Sequence, residues 1–296
     1  MEADQVLSEL LLALPNKGRL YEPTLRALNR AGIILLDRNQ RALFARTSDS
    51  ELRVIFIRSA DIPRFVERNI ASLGITGYDF IIDSGADVVD LLDLGFGKAK
   101  VVVAVPERSE VQSVEEIKDE AKVATKLTHL AEDFFRKRGV RVSMVRISGA
   151  AEIMPFLGIS EVIVDVTGTG ATLQAHGLRV VGEVLDTSAR LIANRESLQD
   201  PRWREKIREI RTAFESVLRA EGKRLVMMNV PDKVLPIVTT ILPSMSGPTV
   251  AKVESSEPMW EVYSVVDEKD LYQVVNAVKK AGARDILVVP IERIIP

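Results

Sequence analysis

The chain has 296 residues, 46% hydrophobic and 28% charged, with 40 basic against 42 acidic side chains for a formal charge of -2. That length can bury a sizeable core in two or three domains, and the balanced charge offers no polybasic field to nucleic acid or an anionic membrane. The absence of cysteine excludes disulfides, thiolate metal sites and a cysteine nucleophile, and two histidines, His129 and His176, argue against a histidine-rich metal centre.

The start, Met1-Glu2-Ala3-Asp4-Gln5, carries acid where a signal peptide carries base. No apolar run approaches the roughly 18 residues of a membrane span, so a cytoplasmic protein is expected. Leu10 to Leu14 reads as a buried strand leading into Pro15-Asn16-Lys17-Gly18-Arg19-Leu20. A helix is predicted over Glu22 to Ala31, with Pro23 in its first turn, Leu25 and Leu28 on one face and Gly32 as a stop. Strands are predicted near Ile33 to Leu36 and Val54 to Ile57, and again at Val101 to Val105, ended by Pro106. Ser113-Val114-Glu115-Glu116 has capping-box spacing and predicts a helix start. This alternation predicts an α/β fold with largely parallel strands.

After a helix rich in both charges, near Pro201 to Glu221, the pattern changes. Leu225 to Val230 is strand-like, Pro231 to Leu242 helical, Thr249 to Val253 and Trp260 to Val266 strand-like, Asp267 to Ala281 helical, and Ile286 to Pro290 a last strand. That is β-α-β-β-α-β, the ferredoxin-like order. Val230, Asp232, Lys233, Leu235 and Val238 correspond at constant offset to Val266, Glu268, Lys269, Leu271 and Val274, so a pseudo-symmetric small domain is expected.

The chemistry concentrates in residues 161–178. Val162, Ile163, Val164 and Val166 form a β-branched run that carries Asp165 near its end and passes through Thr167-Gly168-Thr169-Gly170-Ala171-Thr172 into a helix beginning near Leu173. Glycines let backbone NH groups curl round an anion, threonines add hydroxyls, and the helix start adds the positive end of its dipole. Ala171 stands where a Walker A loop needs its lysine, and Leu173 where a dinucleotide fingerprint needs its third glycine, so both are excluded. An acidic strand end before a Thr/Gly turn is the pattern of a phosphoribosyl 5-phosphate site. An ordinary glycine-rich strand-to-helix turn fits the same residues.

Taken in order with Pro15 to Leu20, Arg58-Ser59-Ala60-Asp61-Ile62-Pro63, Leu73 to Asp79 (L-G-I-T-G-Y-D), Leu94 to Gly97, Ser148 to Glu152 and Ser188 to Asn194, this loop closely resembles ATP phosphoribosyltransferase over nearly the whole chain. The resemblance implies transfer of the 5-phosphoribosyl group from phosphoribosyl pyrophosphate to N1 of ATP with release of pyrophosphate, the first committed step of histidine biosynthesis. It implies two periplasmic-binding-protein-like lobes of type II: 1–97 with 187–222, and 98–186, the chain crossing near Gly97 and returning near Asp186. An ACT-like regulatory domain, 223–296, marks the long form, with histidine as feedback inhibitor held by Ser246 and Thr249 and AMP as a second candidate effector. Mg²⁺ on the pyrophosphate, and a homo-oligomer built from dimers into a hexamer, are implied too.

By the same resemblance Asp165 takes the ribose hydroxyls with Glu152 as acidic companion. Asp165, Val166, Thr167, Gly168, Thr169, Gly170, Ala171 and Thr172 hold phosphoribosyl pyrophosphate. Lys17, Gly18, Arg19, Arg58, Tyr78 and Asp79 serve ATP, and Lys17 and Arg58 join Asp165 and Glu152 as the catalytic set. Asp79 either contacts a substrate or orients a cationic side chain, Tyr78 packs an adenine, and Lys126 is a candidate for the leaving group. His129 and His176 are read as structural or exposed. A two-lobed small-molecule binding protein without catalysis is the competing reading, and a dedicated amino-acid sensor a further one. The missing secretion signal and the Asp165 loop weigh against the first, and the length of chain ahead of residue 220 against the second.

Overall fold

The computed structural model describes residues 9–36, 43–243 and 247–295. It divides into two compact units, the first running to Arg211 and the second from Thr212. No helix among the described residues is long and apolar enough to cross a membrane.

The first unit holds two sheets. In the six-stranded sheet β1 (Leu10–Pro15) lies between β3 (Leu52–Ile57) and β4 (Leu73–Gly77), parallel to both, and every residue of β1 is buried. This is what an unbroken apolar run, Leu-Leu-Leu-Ala-Leu-Pro, demands of a strand covered on both faces. The edge strand β2 (Phe44–Arg46) is antiparallel to β3, and β11 (Ala189–Ala193) runs antiparallel between β4 and β5 (Val89–Asp93). In the five-stranded sheet β7 (Ala121–Thr125) is parallel to β8 (Val142–Arg146) and to β9 (Val162–Thr167). There β6 (Ala99–Pro106) is antiparallel to β9 and to β10 (Leu178–Thr187). Both sheets are therefore mixed rather than largely parallel, because β6, β10 and β11, which flank the two crossings of the chain between the sheets, run against their neighbours. The crossings are at residues 94–98 and at Ser188.

Alternation along β6 builds two cores at once. Val101, Val103 and Val105 join Val162, Val164, Phe134 and Phe135 on one face, while Val102 and Ala104 join Ile163, Leu173 and Leu178 on the other. Phe134 and Phe135 belong to the helix Thr128–Lys137 and meet edge to face at 5.5 Å.

Two expected elements differ. Ile33 to Leu36 forms only a single bridge, Leu35 to Thr47, and Ile34 and Leu36 stay 52% and 59% exposed. Apolar composition alone does not make a strand where no second layer covers it. At Ser113 there is a single 3-10 turn, Val114–Glu116, without a side-chain cap. The Glu116 carboxylate instead accepts from the NH of Gln112 at 2.7 Å, and the backbone turns extended at Ile117 (φ -65°, ψ 126°), which ends the turn. The helix expected from Glu22 is present as Tyr21–Arg30.

In the second unit β12 (Lys223–Pro231), β13 (Thr249–Val253), β14 (Met259–Asp267) and β15 (Arg284–Pro290) form an antiparallel sheet in the order β13-β14-β12-β15. The helices Leu235–Ile241 and Leu271–Ala281 pack through Val238 and Val278 onto Val226, Met228, Val230, Val262 and Val266. Val230 and Val266, equivalent in the repeat, share this core. A 20-residue helix, Pro201–Ala220, carries the chain from the first unit to the second.

Candidate active site

Parallel register decides which side chains meet. Thr125 of β7 pairs with Val164 of β9, so the next residues, Lys126 and Asp165, emerge together, with Nζ 3.4 Å from Oδ1. Asp165 is half-buried and its Oδ1 also accepts from the NH of Val166 at 2.8 Å. Beyond it the Thr167 hydroxyl oxygen accepts from the NH of Gly170 at 3.0 Å and that of Thr169 from the NH of Ala171 at 3.4 Å. The loop is thus folded back on itself by its own threonines, whose hydroxyl hydrogens remain to donate.

The two loop glycines have different reasons. Gly170 sits at φ +79°, a left-handed conformation that a side chain would strain. Gly168 has no positive φ, and a Cβ there would meet nothing within 4 Å. No packing contact in the fold calls for a glycine at 168. The helix after the loop, Ala171–Ala175, buries Leu173, and His176 Nδ1 lies 2.8 Å from the Thr172 carbonyl. Glu152 lies on the 3-10 turn Ala151–Ile153, which follows a left-handed Ala150 and packs against β9.

In the other sheet the parallel strands β1, β3 and β4 end side by side. Lys17, Gly18 and Arg19 follow β1, exposed, and Arg58, also exposed, follows β3. The Asn16 NH donates to the Ile57 carbonyl at 2.8 Å, and the Thr76 hydroxyl donates to the Ser59 carbonyl at 2.7 Å, so the three strand ends are stitched together. Such carboxyl ends are where α/β sheets open their binding crevices.

Asp79 is fully buried, accepting on Oδ1 from Arg19 Nη2 at 3.0 Å and from the Thr187 hydroxyl at 2.7 Å. Tyr78 borders the apolar cluster of Ile55, Ile62 and Ile81, and the Arg190 guanidinium stands 4.7 Å from its ring centre. That face is taken by a protein cation rather than left open. Arg190 also pairs with Asp90 at 3.2 Å and Asp93 at 3.3 Å. Thr187, Arg190 and the Gly97 carbonyl, which Arg19 Nη1 bonds, were missed by sequence reasoning. Arg190 and Gly97 stood inside the Ser188 to Asn194 and Leu94 to Gly97 motifs without a role given to them, and Thr187 lies one residue before the first.

Among the described residues no hydrogen bond or ion pair joins the Asp165 loop to Lys17, Arg19 or Arg58, which come from different sheets. A helix of each half of the core touches the other through Asp83 of Tyr78–Ser84, whose carboxylate accepts from the Leu130 NH at 3.0 Å at the start of the helix Thr128–Lys137. Burial pushes the Asp83 carboxyl above its ordinary value, against the opposing pull of that bond and of His129 and Arg146. His129 is exposed, Thr249 is exposed at the start of β13, and Ser246 lies outside the described residues.

Comparison with known proteins settles the family. The ATP phosphoribosyltransferase family model matches residues 58–216, more than half of the chain, and the model of the HisG C-terminal domain matches residues 220–293. The chain belongs to the ATP phosphoribosyltransferase family. The ATP phosphoribosyltransferase of Methanocella arvoryzae is 50% identical over 96% of this chain and 99% of that protein. That of Methanopyrus kandleri is 49% identical over 97% and 100%. A chain of the ATP phosphoribosyl transferase (HisG:HisZ) complex from Thermotoga maritima superposes with TM-score 0.62 at 22% identity, over 70% of this chain and 96% of that one, which shows a shared fold. The enzyme is a phosphoribosyl-transferring glycosyltransferase at the first step of histidine biosynthesis, with a core that shares the fold of the Thermotoga maritima chain and a separate C-terminal domain.

Proposed function

We propose that phosphoribosyl transfer takes place between the two sheet ends, with phosphoribosyl pyrophosphate on the Asp165 to Thr172 loop and ATP at the ends of β1, β3 and β4. The observation that carries this is Gly168, a glycine for which the protein's own packing gives no use, in a loop already shaped by Thr167 and Thr169.

Adenine N1 has a free lone pair, so its attack on the anomeric carbon needs no strong base. The bond to the pyrophosphate oxygen breaks as that lone pair arrives, and the electron pair leaves with pyrophosphate. The demand is electrostatic: an oxocarbenium-like carbon and a polyanionic leaving group both need stabilising, mainly by positioning and preorganised charge. Asp165, with Glu152 nearby, takes the ribose hydroxyls. Lys126, already beside Asp165, meets the departing pyrophosphate, and Lys17, Arg19 and Arg58 meet the triphosphate, arginine being able to bind two oxygens at once.

Among the described residues no three His, Asp or Glu side chains gather as a metal-ligand set. A magnesium ion carried by substrate phosphates needs only one or two carboxylates, a demand that Asp165 and Glu152 fit. Bound there it would neutralise leaving-group charge. The second unit is the histidine sensor, in a homo-oligomer working in the cytoplasm. Pyrophosphate release from ATP, phosphoribosyl pyrophosphate and Mg²⁺ tests the site. Asp165→Asn, which keeps size and removes charge, should lower kcat/KM about 100-fold, and activity within twofold of the parent would remove Asp165 from the site.

A further inference from the structure

The chain crosses between the sheets of the core twice, and one guanidinium is tied to both crossings. Arg19 Nη1 donates to the Gly97 carbonyl in the first crossing, and Nη2 donates to Asp79 Oδ1 at 3.0 Å. That oxygen accepts at 2.7 Å from the hydroxyl of Thr187, the last residue before the second crossing. The Thr187 oxygen in turn accepts from the Asp79 NH at 3.1 Å, so Thr187 ties both the backbone and Oδ1 of Asp79, while Oδ2 is buried without a partner among the described residues.

Glycines make room for the arrangement. A Cβ on Gly77 would fall 2.2 Å from Asp79 Oδ1, and one on Gly97, at φ +63°, would fall 2.3 Å from Leu20 Cδ2. The Asp79 side chain is 1% exposed, whereas that of Arg19 is 34% exposed. A buried carboxylate, a buried hydroxyl and two glycines thus combine to aim one exposed cation.

We propose that Asp79 and Thr187 are positioning residues, holding the Arg19 guanidinium across both crossings in the orientation in which it takes the triphosphate of ATP. This rests on the reading above that places Arg19 on the ATP side. An arginine free in solvent gives up rotamer freedom when it binds phosphate; one held beforehand gives up little. Two of its N–H groups are engaged with Asp79 and Gly97, and the others remain for phosphate oxygens.

Steady-state kinetics on the full-length enzyme test this. Thr187→Val, nearly isosteric but without the hydroxyl, should raise KM for ATP about tenfold while KM for phosphoribosyl pyrophosphate stays within about twofold, and Thr187→Ser should restore the parent value. Adding Thr187→Val to Arg19→Ala should raise KM no further, because Thr187 acts through Arg19. An ATP KM that rises in Arg19→Ala but not in Thr187→Val, or additive effects in the double variant, would overturn the positioning role. An unchanged ATP KM in Arg19→Ala would overturn the placement of Arg19 and this proposal with it. If Thr187→Val melts below the assay temperature, Thr187→Ala is read by the same criteria.

Discussion

Gly168 shows how a single residue can be read for function. Where glycine is needed for backbone or packing, the structure displays the need: Gly170 is left-handed, and Gly77 faces a carboxylate where a Cβ would sit. At Gly168 neither condition holds, so Gly168→Val should leave the melting temperature within about 2 °C, as for a change that costs little in the folded state. It should weaken phosphoribosyl pyrophosphate at least tenfold, about 1.4 kcal/mol, by placing a branched side chain where the 5-phosphate meets the loop. Calorimetric titration with that substrate decides it, and unchanged affinity sinks the cradle. The Asp165 loop was legible in sequence because its chemistry is local: a strand end, an acid and a glycine turn within ten residues. The role of Asp79 was legible only as a choice between touching a substrate and orienting a cation, since its partners Arg19 and Thr187 stand 60 and 108 positions away. No pattern of spacing carries information over such separations; the pairing of β4 with β1 on one side and with β11 on the other brings them together.

Among elements, those with strong periodicity and a cover appear as expected, namely β1, the helix Tyr21–Arg30 and the small-domain strands and helices. Those resting on a local signature alone, such as the capping box at Ser113, gave a single turn, because Ser113 makes no side-chain cap, Glu116 bonds the Gln112 NH and the backbone is extended at Ile117. The start of the helix Thr128–Lys137 is capped from a distance instead, by Asp83 of the helix Tyr78–Ser84 in the other sheet's half of the core. Because burial raises the Asp83 carboxyl above its unfolded value, the folded state holds that proton more tightly. Its contribution to stability is then fully present below the unfolded pKa, near 3.8, and is lost as pH rises through the folded value. An uncharged acceptor should therefore do better at neutral pH. Asp83→Asn should raise Tm by about 1–2 °C at pH 7.5, and the gain should shrink as pH is lowered toward 4. A Tm that falls at pH 7.5, or a gain that widens in acid, would count against the burial account.

For the molecule as a whole, the boundary between the two matched family models lies at residues 216–220, within the helix Pro201–Ala220. If histidine binds the C-terminal unit, its effect on the core is a coupling between separate sites and is reciprocal in binding free energy. Histidine should weaken at least one substrate, and that substrate should weaken histidine by the same factor, within about 5- to 150-fold. Thr249→Ala should weaken histidine itself. Calorimetry with each ligand in the presence and absence of the other measures the coupling, and no change in either affinity, or full histidine affinity in a chain ending at Gly222, would dismiss the sensor assignment.

The position of β11 also bears on how the chain is made. Among the described residues β5 has only β11 as a neighbour in the sheet, and β4 lacks one flank without it, so the six-stranded sheet stays incomplete until residues 189–193 leave the ribosome. The five-stranded sheet, by contrast, is contiguous from Ala99 to Thr187 and has all its strands earlier. Domains fold as units while synthesis proceeds at about 5–20 residues per second, which leaves the second-encoded body free to close first while the N-terminal one waits, part-formed, for its returning strand. Nascent chains arrested with about 30–40 residues still covered, the tunnel's length at roughly 3.3–3.6 Å per extended residue, should show protease protection of 99–187 before that of 10–93. The opposite order would mean that β1 to β4 hold together without their last partner.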